Sequence, residues 1–106
     1  MFPQTLTRLT ALEAQIAANG FLLDNLPDRY LAVEPQFDPA AQAWRVKVVL
    51  TYPVIGCIGQ VGEIMVSAYS EKILSHTPPT EIRERGRQLY EQNRDAIQTA
   101  FSLAGN

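Results

Sequence analysis

His76, Glu63, Thr77 and Cys57 are the side chains of this sequence that come nearest to reactive chemistry, together with three evenly spaced glycines, Gly56, Gly59 and Gly62. A neutral imidazole at the start of a helix can accept or give up a proton, and the N–H groups there can hold an anion. His76 occupies such a position, directly ahead of Thr77-Pro78-Pro79. If a hairpin sets Met65 opposite His76 and Val66 opposite Ser75, Glu63 approaches the imidazole diagonally. Glu63, His76 and Thr77 therefore form the one candidate ligand-binding or acid/base group. The plainer expectation for the chain's single histidine is local hydrogen bonding at a strand end.

The Gly56-x-x-Gly59-x-x-Gly62 spacing lets backbone N–H groups approach a phosphate, but phosphate loops follow a strand and open a helix, and no Gly-Lys-Ser/Thr is present. Here the glycines lead into another strand, so a bulged or tightly turning loop is expected. Cys57 lies among Ile55, Gly56, Ile58 and Gly59, with no cation to stabilise a thiolate, and reads as a passive thiol packed like a small hydrophobe. One cysteine with one histidine is too few for a zinc site, and neither metal nor cofactor is implied.

These residues must be positioned by a few elements. Leu6, Leu9, Ala11 or Leu12, and Ile16 recur at helical steps, predicting a helix from Pro3 to Asn19 that Gly20 ends. Phe21-Leu22-Leu23 then tucks under the domain, and Asn25-Leu26-Pro27-Asp28 is a turn. Residues 29–37 have strand content, with Pro35 marking an edge or a bulge. Asp38-Pro39-Ala40-Ala41-Gln42 is a turn before the clearest strand, 44–52, in which Trp44, Val46, Val48, Leu50 and Tyr52 alternate with Arg45, Lys47, Val49 and Thr51. Residues 54–60 read as a loop, 61–68 as a strand, 69–72 as a hairpin turn around Ser70-Glu71, and 73–76 as a short return strand. Thr77 is the expected cap of a last helix running to Leu103, with Ile82, Gly86, Leu89, Tyr90, Asn93, Ile97, Ala100 and Phe101 on one stripe; Gly105 and Asn106 fray.

The expectation is one α+β domain over residues 1–106: an antiparallel four-stranded meander with N- and C-terminal helices (α-β-β-β-β-α) packed on one face. Apolar residues at 46% and charged residues at 19% are ordinary for a globular domain, and the formal charge of −2 argues against direct nucleic-acid contact. Trp44, Tyr52 and Tyr30 do not form a platform with Arg45 and Lys47, because period 2 sends the aromatics inward and the cations to water. Polar residues interrupt Met1–Asn19, so it reads as a mature helix rather than a leader. No apolar run approaches the roughly 20 residues of a membrane span, and the lone cysteine suits a cytoplasmic setting.

Tyr52-Pro53, Ile58-Gly59-Gln60-Val61-Gly62-Glu63-Ile64, Ser75-His76-Thr77-Pro78, Glu81-Ile82 and Leu89-Tyr90 together resemble a family of small, mostly cyanobacterial proteins with no assigned activity. The likeness covers the second half of the chain, in the pattern G-x-V-G-E-I-x-V followed by S-H-T-P-x-x-E-I. It departs at the hairpin, where relatives carry an Asp and a Thr-Gly pair and this chain has Ser67 and Ser70-Glu71. The resemblance implies a stable domain type and no reaction. By elimination, the expected function is a non-enzymatic cytoplasmic interaction or regulatory domain that binds itself or another protein through a sheet face or edge and the last helix. The alternative is a small-ligand or enzymatic site around Glu63, His76 and the start of that helix, and the weakest reading is a transcription-associated adaptor.

Overall fold

The computed structural model describes residues 7–104. Helix α1 (Ala11–Asn25) precedes strands β1 (Tyr30–Asp38), β2 (Ala43–Tyr52), β3 (Gly56–Ser67) and β4 (Ile73–His76), and helices α2 (Pro79–Gln92) and α3 (Arg94–Ala104) follow. The strands form one antiparallel sheet in chain order, which is the α+β meander read from the sequence. Val46, Val48, Leu50, Ile64 and Val66 of the sheet share a single core with Ala14, Ala18 and Leu22 of α1 and Ile82 of α2.

The first helix differs from expectation at both ends. The expected start at Pro3 lies outside the described residues, and Thr7–Thr10 are not helical. Thr10 caps the helix reciprocally with Glu13: its hydroxyl accepts the Glu13 N–H at 3.1 Å, and the Glu13 carboxylate accepts the Thr10 N–H at 2.9 Å. Gly20 sits inside the helix, which continues until Leu26 turns extended ahead of Pro27. The buried face is also not the expected one. Ala14, Ala18 and Leu22 point inward, while Leu12 and Ile16 point to solvent. Small residues let the helix axis approach the strands, and a helix with apolar residues on two sides does not reveal by period alone which side is buried.

Strand β1 is an edge, as Pro35 suggested. Glu34 and Pro35 stand opposite Val46 alone, forming a bulge with Glu34 in the left-handed region at φ 51°. The backbone of Ala32 is met by helix side chains in place of another strand. Asn19 Oδ1 accepts its N–H at 2.9 Å, and Gln15 Nε2 (3.0 Å) and Asn19 Nδ2 (3.3 Å) donate to its carbonyl.

The largest departure in the sheet is at 56–60, expected as a loop and found as strand. Ile58 and Val61 are extra residues opposite β2, so two bulges absorb the glycine-rich stretch without ending the ladder. Gly62 is needed here for space, and Gly59 leaves room for the end of the Leu89 side chain. A Cβ on Gly59 would lie 2.8 Å from Leu89 Cδ1, and one on Gly62 would lie 2.9 Å from Thr77 Cβ and 3.1 Å from Ile82 Cγ1.

The hairpin register also differs: His76 pairs with Ile64 and Ser75 with Met65, and a bulge follows before Val66 meets Ile73. Ser67 N–H bonds the Lys72 carbonyl, so the loop is longer than the two-residue Ser70-Glu71 turn that was expected. Thr77 does not cap α2, whose cap position is Pro78 with no side-chain bond. The single last helix that was expected is two, since α2 ends at Gln92 and α3 begins at Arg94. Asn93 lies between them, its N–H shared between the Leu89 and Tyr90 carbonyls while its side-chain amide donates to the Leu89 carbonyl at 2.8 Å. Most of the expected stripe is inward, with Ile82, Gly86, Ile97 and Ala100 buried and Leu89, Tyr90 and Asn93 half-buried, but Phe101 at its end is exposed.

Two glycine substitutions should separate the roles. Gly62→Ala forces a methyl group against Thr77 and Ile82 and should cost about 1–3 kcal/mol. Gly20→Ala meets nothing within 4 Å in a helix interior and should add about 0.5–1 kcal/mol. Urea midpoints check both, and the signs should be opposite.

Candidate functional site

The structure does not bring the predicted site residues together. Ile64 is buried, so alternation turns Glu63 to the opposite, open face of the sheet. There its carboxylate accepts from Arg45 Nη1 at 2.9 Å, and Arg45 Nη2 bonds Asp38 at 3.0 Å. His76 instead packs its ring against Phe21 of α1, with centroids 4.5 Å apart, and its Nδ1 lies 3.0 Å from the Thr77 carbonyl. Thr77 is the residue that does reach Glu63, but through backbone. Its N–H donates to the Glu63 carbonyl and its hydroxyl accepts the Glu63 N–H, both at 3.0 Å, so it extends the β3–β4 ladder. The one-residue change in register is what separates the carboxylate from the imidazole.

Cys57 is exposed on β3 and not packed as a small hydrophobe. Among the described residues no cluster of three or more metal-ligating side chains occurs, and no helix is long and apolar enough to cross a membrane. Trp44, Tyr30 and Tyr52 pack against the core, while Lys47 pairs with Glu34 at 3.1 Å and Arg45 with its two carboxylates. The basic residues of β2 are therefore neutralised locally and do not face an aromatic platform.

Two other surfaces stand out. On α1, Leu12, Ile16 and Leu23 are 64%, 62% and 71% exposed. They follow helical spacing along one outward stripe. Beside it runs a groove of about 410 Å³ lined by Ile16, Ala17, Gly20, Phe21 and Ile73, with Asp24 and Glu71 also on its walls.

The second surface is a cleft of about 380 Å³ between α2 and the end of the sheet, walled by Tyr30, Tyr52, Tyr90 and Leu50 and by Arg29, Arg83 and Arg87. It exists because Tyr30 crosses α2 at Gly86, where a Cβ would lie 2.5 Å from the Tyr30 hydroxyl oxygen. Burial, reinforced by Tyr52 and partly offset by Arg83, holds the Tyr30 phenol above its ordinary value, so at neutral pH it is a protonated donor. The Arg29 guanidinium lies over Tyr52, 4.6 Å from the ring centroid, and 5.5 Å from that of Phe101 on α3. No sequence pattern marked this cleft, because its residues come from three separate stretches of chain. Only the Gly86 on the helical stripe hinted at a close contact.

No family model, curated protein or solved structure matches this chain.

On the open face, the Ala41 N–H and the Arg45 guanidinium, with the Ala40 N–H, hold the Asp38 carboxyl below its usual range. A lowered folded value means that the stabilisation is complete above the unfolded carboxylate value and disappears as pH falls through the folded one. Urea midpoints of wild type and Asp38→Asn should therefore differ most near neutrality and converge as the pH falls below about 4.

Proposed function

We propose that this chain is a non-enzymatic cytoplasmic interaction domain that pairs with a second copy of itself through α1. The supporting observation is the exposed Leu12–Ile16–Leu23 stripe on a helix whose other side is already committed to the core. An apolar ridge of that kind on a monomer marks a contact surface. The second copy is favoured by shape. A twofold interface must be self-complementary, and here a ridge about 16 Å long lies directly beside a groove with an apolar floor, so each ridge can seat in the other's groove. This moves the contact surface expected from the last helix to the first.

The non-enzymatic part of the reading is supported by the fate of the reactive side chains. Glu63 is tied to Arg45 and His76 to Phe21, on different faces of the sheet. The resemblance to small cyanobacterial proteins adds a domain type and no reaction, and the single exposed thiol of Cys57 suits a reducing compartment.

Sedimentation equilibrium tests the pairing. The wild-type chain should sediment as a dimer at micromolar to millimolar concentration. Leu12→Lys with Ile16→Lys should leave the fold intact, since both side chains are exposed in the single chain, and weaken the dimer by about a hundredfold or more. A wild-type chain that stays monomeric to about 1 mM would overturn the reading.

A further inference from the structure

We propose that the cleft between α2 and the end of the sheet binds a small planar anion, a ring bearing a phosphate or carboxylate group. Its volume of about 380 Å³ falls in the range of small-ligand sites, and its walls combine two chemistries that such a molecule needs. Tyr30, Tyr52, Tyr90 and Leu50 supply flat apolar surface for the ring. Three arginines against one aspartate, Asp28, make the lining cationic within a chain whose formal charge is −2.

The arginines are not equivalent. Arg87 is held by Glu84 through both Nε (3.1 Å) and Nη2 (2.7 Å), so its charge is already answered. Arg83 spends one bond on the Asn25 carbonyl, from Nη2 at 3.2 Å, which anchors it beside the cleft, and among the described residues no carboxylate pairs with it. Arg29 has no carboxylate within ion-pair distance among the described residues. Its guanidinium lies over the rings of Tyr52 and Phe101 instead. A cation–π contact takes up none of the guanidinium N–H donors, and a guanidinium can take a carboxylate or phosphate in a bidentate way. Tyr52 thus serves twice, as a wall for the ring and as the platform that aims Arg29.

This site is separate from the α1 surface, and the two stand or fall independently. Phenyl phosphate and benzoate are the probes, followed by NMR shifts of the tyrosine resonances, with benzylamine and inorganic phosphate as controls. Both anions should bind saturably with millimolar or tighter affinity. Arg29→Gln should weaken them about tenfold or more, the size of one charge-assisted bond, and Arg83→Gln, at an exposed position, should weaken them in the same direction. A preference for phenyl phosphate over benzoate would assign the ligand as a phosphate ester, and the reverse as a carboxylate. The proposal is overturned if neither anion saturates, if benzylamine binds as well as benzoate, if inorganic phosphate binds as well as phenyl phosphate, or if both arginine variants bind unchanged.

Discussion

The architecture depends on a close approach: α2 lies against β3 and Tyr30 at positions where no Cβ stands in the way. Leu89 sits over Gly59, Ile82 and Thr77 over Gly62, and the Tyr30 hydroxyl over Gly86. Each contact replaces a missing side chain on one partner with a large one from the other, which is how interiors reach crystal-like density. The bulges at Ile58 and Val61 belong to the same arrangement. They raise the local twist of β3 where the helix crosses it, and they let a glycine-rich segment stay in the ladder. The cleft at the sheet end is a by-product of this contact, because it is the space left beside Tyr30 once its ring has crossed Gly86.

Helix α1 solves a different problem. Its alanines bring it close to the sheet, and its two amide side chains, Gln15 and Asn19, satisfy the outward-facing backbone of Ala32. Buried amide and carbonyl groups must find partners, and side-chain amides are the groups that offer both a donor and an acceptor. Apolar residues on the third side of the same helix, Leu12, Ile16 and Leu23, stay exposed among the described residues. Core, strand margin and open surface are thus served by one helix of three faces.

Much of the fold was legible because its strongest signals are local. Alternation from Trp44 to Tyr52 fixed β2 almost to the residue, Pro35 marked an edge bulge, and the stripe from Ile82 to Ala100 identified the buried side of the last helices. What was not legible depended on choices between equivalent patterns. Leu12–Ile16 and Ala14–Ala18–Leu22 both suit a helix, and only the closeness of the sheet favours the alanines. The Thr10–Glu13 capping box was present in the sequence and would have placed the helix start correctly. The hairpin register could not be read without a glycine or asparagine turn, and that single step of register is what parted Glu63 from His76. The cleft was invisible for another reason: Tyr30, Tyr52, Arg83 and Tyr90 converge only after the sheet and α2 have packed.

The occupied margin of β1 also limits what the sheet can do in company. Growth of a sheet from chain to chain requires two receptive sides on every member, one to accept and one to offer. With the Ala32 amide and carbonyl taken by α1, and Pro35 lacking an N–H, the β1 side is the less receptive of the two, and among the described residues the short β4 is the more open one. Strand-to-strand joining through β1 is therefore disfavoured, so the helix that leaves an apolar ridge in solvent also works against open-ended growth of the sheet.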